Sequence, residues 1–156
     1  MNKETKKLNG ILIDPYLKKV TNVKVDKDKT LTDMYKQIDC AMVEVVTFSD
    51  KHDLWVDEEG LLERDQRFFK VHNLPFGHAG VIAGRGLILG VGDEGETKSA
   101  NLFIADILPR ISWDFTHDGM VYNSETGLFT RVEVVRNGYK VESDIVDSIK
   151  SIHVIE

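Results

Sequence analysis

With 156 residues, 42% of them hydrophobic and 29% charged, the chain is sized for one globular domain, hiding about 68–70% of its unfolded surface without disulfides or a structural metal. A single cysteine, Cys40, excludes an internal disulfide and points to a reducing, cytoplasmic setting. The net charge of −6 excludes the broadly basic face that duplex nucleic acid requires, and no apolar run approaches the roughly 18 residues of a membrane span.

The charge is uneven, with nine lysines against five acids over residues 1–36 and eleven basic against 21 acidic side chains beyond. In chain order, the sequence predicts a mobile N-terminal tail over residues 1–9. A strand at Gly10-Ile11-Leu12-Ile13 is then stopped by the turn pair Asp14-Pro15. Val20, Val23 and Val25 make its hairpin partner. Leu31, Met34, Tyr35 and Ile38 recur at three- and four-residue spacing, which predicts a short amphipathic helix capped by Thr30 or Thr32. Strands are expected at Val43–Phe48, Asp53–Asp57 and Gly86–Val91, with residues 61–84 between them read as loop. A second short helix is expected within Ser99–Arg110 and is ended by Pro109. Beyond it, Ile111–Phe115, Met120–Asn123, Leu128–Val135 and Gly138–Val141 are separated by the turn signals His117-Asp118-Gly119, Ser124-Glu125-Thr126-Gly127 and Asn137-Gly138, the punctuation of an antiparallel meander. A helical turn is expected near Asp144–Ile149, followed by an apolar run at Ile152–Ile155. The fold class is α+β, a mainly antiparallel sheet with two short helices and a C-terminal β-meander. The core domain covers residues 10–115, and residues 116–156 form an extension packed on it.

Motifs with catalytic meaning fail on their chemistry. Gly90-Val91-Gly92-Asp93-Glu94-Gly95 fits the spacing of a dinucleotide fingerprint, but Asp93, Glu94 and Glu96 would set carboxylates where a pyrophosphate must meet bare amides. A glycine-dependent turn accounts for it better. The five histidines have no second ligand at metal spacing, His117-Asp118 falls in a turn, and Cys40 has no base nearby. No catalytic residue, metal or cofactor is assigned, and an enzyme reading, a phosphodiesterase being the nearest, has no anchor.

What remains is a constellation suited to binding. Arg85 lies between Gly84 and Gly86, where backbone can approach a ligand and the guanidinium can grip phosphate. Trp55, Phe76 and His78 supply rings that can stack on a base. Alternatively, Arg85 pairs with the acidic run at Asp57-Glu58-Glu59 while Trp55 and Phe76 fill the core.

The segments Gly10-Ile-Leu-Ile-Asp-Pro, Leu54-Trp-Val-Asp-Glu-Glu-Gly-Leu-Leu, Ala83-Gly-Arg-Gly-Leu-Ile-Leu-Gly and Asp93-Glu-Gly-Glu-Thr resemble a family of small uncharacterised proteins carried by phages and plasmids, over about residues 9–115. The resemblance implies an accessory protein of a mobile element, expressed in the bacterial cytoplasm, where many such genes counter host defence. Two functions fit that setting. One is a sponge that binds and sequesters a nucleotide second messenger of bacterial immunity, a cyclic nucleotide or ADP-ribose derivative, from a homo-oligomer whose subunits share the site. The other is a protein-binding inhibitor or acidic DNA mimic acting on a host defence protein.

Overall fold

The computed structural model of the chain describes residues 6–60, 66–135 and 140–146. Strand β1 (Lys7–Asp14) pairs with β2 (Lys19–Asp26) in an antiparallel hairpin closed at Asp14↔Lys19. The Asp14 carboxylate shapes its turn, Oδ1 accepting the Tyr16 and Leu17 amides at 2.9 and 3.3 Å. β1 begins inside the expected tail because the period-two pattern extends back to Leu8, which is buried on the face that also carries Gly10 and Leu12.

Helix α1 (Thr30–Ile38) buries Met34 and Ile38. Neither expected threonine caps it. Lys29 holds the cap position, and the Thr30 hydroxyl donates back to the Lys27 carbonyl at 2.9 Å. Asp39 ends the helix in the left-handed region, φ 63°, letting the Cys40 amide reach the Tyr35 carbonyl.

Strands β3 (Val43–Ser49) and β4 (His52–Asp57) form a second hairpin with a bulge between Thr47 and Ser49. The region expected to be loop contains two more strands, β5 (Phe68–Val71) and β6 (Val81–Ala83). β7 (Gly86–Val91) enters between β1 and β4, giving an antiparallel sheet of order β2-β1-β7-β4-β3 with β8 (Thr97–Lys98) hydrogen-bonded to the end of β7.

The β7–β8 turn holds the glycine spacing of the false dinucleotide fingerprint. There the Gly92 amide donates to the Glu96 carbonyl at 2.7 Å, Gly95 takes φ 84°, and a strand follows where the fingerprint requires a helix. The expected 99–110 helix is reduced to α2 (Ile104–Ile107) and a 3₁₀ turn over Leu108–Arg110. Only Ile107 is buried, while Phe103 and Leu108 face out, so one apolar anchor supports one helical turn.

The expected strand over Ile111–Phe115 is two. β9 (Ile111–Ser112) joins β5 and β6 in a three-stranded sheet of order β6-β5-β9, and β10 (Phe115–His117) opens the meander β10-β11-β12-β13 with β11 (Met120–Asn123), β12 (Leu128–Val135) and β13 (Lys140–Val146). Asp144–Val146 is strand rather than the expected helical turn, because β12 supplies a partner as far as Phe129↔Val146. The Asn137-Gly138 turn and the 152–155 run lie outside the described residues.

Three hydrophobic clusters order these sheets into layers. Leu8, Val25, Met34, Ile38, Leu87 and Leu89 fill the space between α1 and one face of the large sheet. On its other face, Ile11, Ile13, Leu54 and Ile88 meet Phe69, Val71 and Ile82 of the three-stranded sheet. The far side of that small sheet offers Phe68 and Val81 to Phe115, Met120, Tyr122 and Phe129 of the meander. The small sheet is therefore buried on both faces. Adjacent Phe68 and Phe69 serve two different cores, and the Tyr122 hydroxyl accepts the Phe68 amide at 3.0 Å.

Candidate functional site

The six residues singled out from the sequence do not converge. Arg85 is ion-paired within the fold. Its Nε lies 3.3 Å from Asp14 Oδ2, one terminal nitrogen lies 3.7 Å from Asp39 Oδ2, and the guanidinium sits 4.5 Å from the Tyr16 ring centroid. Its partners are thus the first hairpin turn and the helix end, not the acidic run after Trp55. Trp55 packs with the cluster beneath α1, and its indole Nε1 is buried without a hydrogen-bond partner.

Gly84 and Gly86 serve the backbone. Gly84 takes φ 85° at the β6–β7 reversal, and its amide donates to the Arg67 carbonyl at 2.8 Å. Gly86 lies where a Cβ would come within 2.9 Å of Leu54 Cδ1 and 3.0 Å of Phe69 Cζ, so it allows two sheets to approach.

Phe76 and His78 do come together, elsewhere. Their loop between β5 and β6 runs beside β3, and Phe76 takes φ 61°, which holds its ring 91% exposed. His78 Nδ1 accepts the Gly80 amide at 2.9 Å, so in the neutral ring the proton sits on Nε2. Two open cavities lie along this loop. One, about 360 Å³, is lined by Glu44, Val46, Phe76 and His78, and the other, about 400 Å³, by Phe48, Asp50, Asn73, Phe76 and Arg110.

Arg110 is the residue sequence reasoning missed. The β5–β9 register, Val71↔Ile111, sets its backbone against His72, whose amide donates to the Arg110 carbonyl at 2.8 Å. From there Nε donates to the His72 carbonyl and a terminal nitrogen to the Asn73 carbonyl, each at 3.0 Å, with the guanidinium 4.2 Å from the Phe48 ring centroid. Burial pulls its pKa below the ordinary arginine value. No carboxylate among the described residues lies within 4 Å of it. A partly buried guanidinium fixed by two carbonyls and a ring, with no counter-ion among the described residues, attracts an anion. Nothing in the local sequence marks it. Only the pairing of two short strands brings residue 110 to residues 72, 73 and 48.

His52 is buried at the β3–β4 turn, with Nε2 accepting the Asn101 amide at 3.0 Å and Nδ1 3.3 Å from Ser49 Oγ. Burial lowers its pKa, an effect the neighbouring Asp53 partly offsets, and burial raises that of Asp53. Among the described residues no three His, Cys, Asp or Glu side chains cluster as metal ligands, and no helix is long and apolar enough to cross a membrane.

Residues 8–108 match the domain of unknown function DUF3846. The chain belongs to the DUF3846 family. No curated protein and no solved structure matches it. The DUF3846 span holds β1 through α2, hence the whole large sheet and two strands of the small one, and it stops two residues short of Arg110. The Phe76–His78 loop lies within DUF3846, whereas the guanidinium that completes the second cavity and the meander behind it lie beyond the matched residues.

Proposed function

We propose that this DUF3846 protein is a catalysis-free accessory factor of a phage or other mobile element that captures a nucleotide second messenger of bacterial immunity. The observation that supports it is Arg110, a partly buried guanidinium with no carboxylate of the described residues within 4 Å, in an open cavity of about 400 Å³ rimmed by the exposed Phe76 ring. Cavities of this size accept small molecules, a guanidinium holds phosphate, and an aromatic ring stacks on any base. Capture needs no nucleophile. The reading retains the sequence-based ring residues Phe76 and His78 and moves the phosphate contact from Arg85 to Arg110.

Titration calorimetry of the full chain with a panel of cyclic nucleotides and ADP-ribose derivatives tests this. Binding that returns the ligand intact, with and without divalent cations, is the expected result. Turnover would replace the sponge with a phosphodiesterase, and failure of the whole panel would end the nucleotide reading. A homo-oligomer belongs to the proposal because a second subunit can close an open cavity. Light scattering at micromolar concentration is expected to give more than the monomer mass, and a monomer would confine the site to one chain. A protein-binding inhibitor is the second reading, favoured by one observation: a phenyl ring 91% exposed is a ready anchor for a partner's pocket.

A further inference from the structure

The two cavities beside β3 share part of their lining. Thr47, Pro75 and Phe76 line both. Each also holds one basic side chain and one carboxylate: Arg110 with Asp50 in the larger, His78 with Glu44 in the smaller. The donors are set by their own hydrogen bonds. Arg110 is fixed through the His72 and Asn73 carbonyls, and the Gly80 amide occupies His78 Nδ1 and leaves Nε2–H as the donor. The carboxylates only accept, so they match the amino and ring N–H groups of a purine and not its phosphate.

At about 360 and 400 Å³, each cavity lies near the lower end of small-molecule sites and suits one nucleotide. Phe76 belongs to both, with a left-handed backbone that keeps its ring out of the core. We infer that the two cavities are the halves of one site for two purine nucleotides joined through phosphodiester linkages, seated on either side of Phe76. The inference rests on the nucleotide-capture reading and narrows its ligand class. The Arg110 guanidinium and the His78 Nε2–H each offer a donor to one phosphate per half, whereas the contiguous pyrophosphate of an ADP-ribose derivative would concentrate its charge in one cavity that also holds a carboxylate.

Calorimetry with three probes decides it: a cyclic dipurine dinucleotide, a 3′,5′-cyclic purine mononucleotide and ADP-ribose. The dinucleotide is expected to bind at one per chain and at least tenfold more tightly than either other probe. Phe76→Ala should weaken it at least tenfold without lowering the melting temperature, since the ring is exposed. His78→Ala should weaken the dinucleotide while leaving mononucleotide binding beside Arg110 intact. Arg110→Gln should abolish both, and Phe76→Ala remains decisive if that variant folds poorly. Equal affinity for mononucleotide and dinucleotide, preference for ADP-ribose, or indifference to Phe76→Ala and His78→Ala would each overturn the two-lobed site and leave nucleotide capture standing. No binding of any probe would remove both.

Discussion

Two arginines divide between structure and proposed binding, and the division follows from their neighbours. Arg85 meets two carboxylates and a tyrosine ring with its side chain 25% exposed. A partly exposed ion pair and a cation–π contact together contribute about 1 kcal/mol, after solvent screening. Arg85→Ala should therefore lower the melting temperature by roughly 2–4 °C while leaving any ligand affinity at the Phe76 loop unchanged. Melting and calorimetry on that one variant check both halves.

His52 gives the pH dependence at the same scale. Its folded pKa lies below the unfolded value, so the unfolded chain binds protons first. Its contribution to stability is complete above the ordinary histidine pKa, about 6.5, and is lost as pH falls through that value toward the lower folded pKa. Protonation also removes the acceptor of the Asn101 amide. Asp53, raised in the folded state, acts in the opposite sense, adding stability as pH falls through its folded pKa toward the carboxylate range. Urea melts should thus show stability falling from pH 7 to pH 5 in the native chain, with a flatter profile in His52→Gln.

At the scale of elements, the close approach of sheets at Gly86 makes Gly86→Ala an overpacking change, expected to cost about 1–3 kcal/mol in chemical denaturation. How far an element was legible depended on its length and on the turn signals around it. The β10–β11 turn was readable because His117↔Met120 leaves Asp118 and Gly119 alone in the loop, both at positive φ, the conformation for which Asp-Gly is the sequence signature. α1 was readable from its one-sided pattern, and β1, which feeds both cores, from its apolar run and the Asp14-Pro15 turn. β5 and β6 were not: covered on both faces they lose the apolar–polar alternation, and at four and three residues they lack the longer apolar run that marks β7, so Phe68-Phe69 looks like loop apolarity. The candidate site suffered similarly. Phe76 and His78 share a loop and were found together, whereas Arg110 joins them only through strand pairing.

For the whole molecule, the family match ends at residue 108 but the packing does not. Phe115, Met120, Tyr122 and Phe129 share a core with Phe68 and Val81, which belong to the matched span. Phe129→Ala should therefore cost about 3–5 kcal/mol and lower the melting of the entire chain in a single transition. Two separate transitions in calorimetry would mean that the meander folds on its own. The small sheet in the middle of the layers carries a further consequence for synthesis. During translation Phe68 and Val81 emerge tens of residues before Phe129, so a nascent chain that has already closed its large sheet still shows the ribosome exit a bare apolar surface. That interval is when a chaperone has most to hold, and it ends only when the β11–β12 hairpin clears the tunnel.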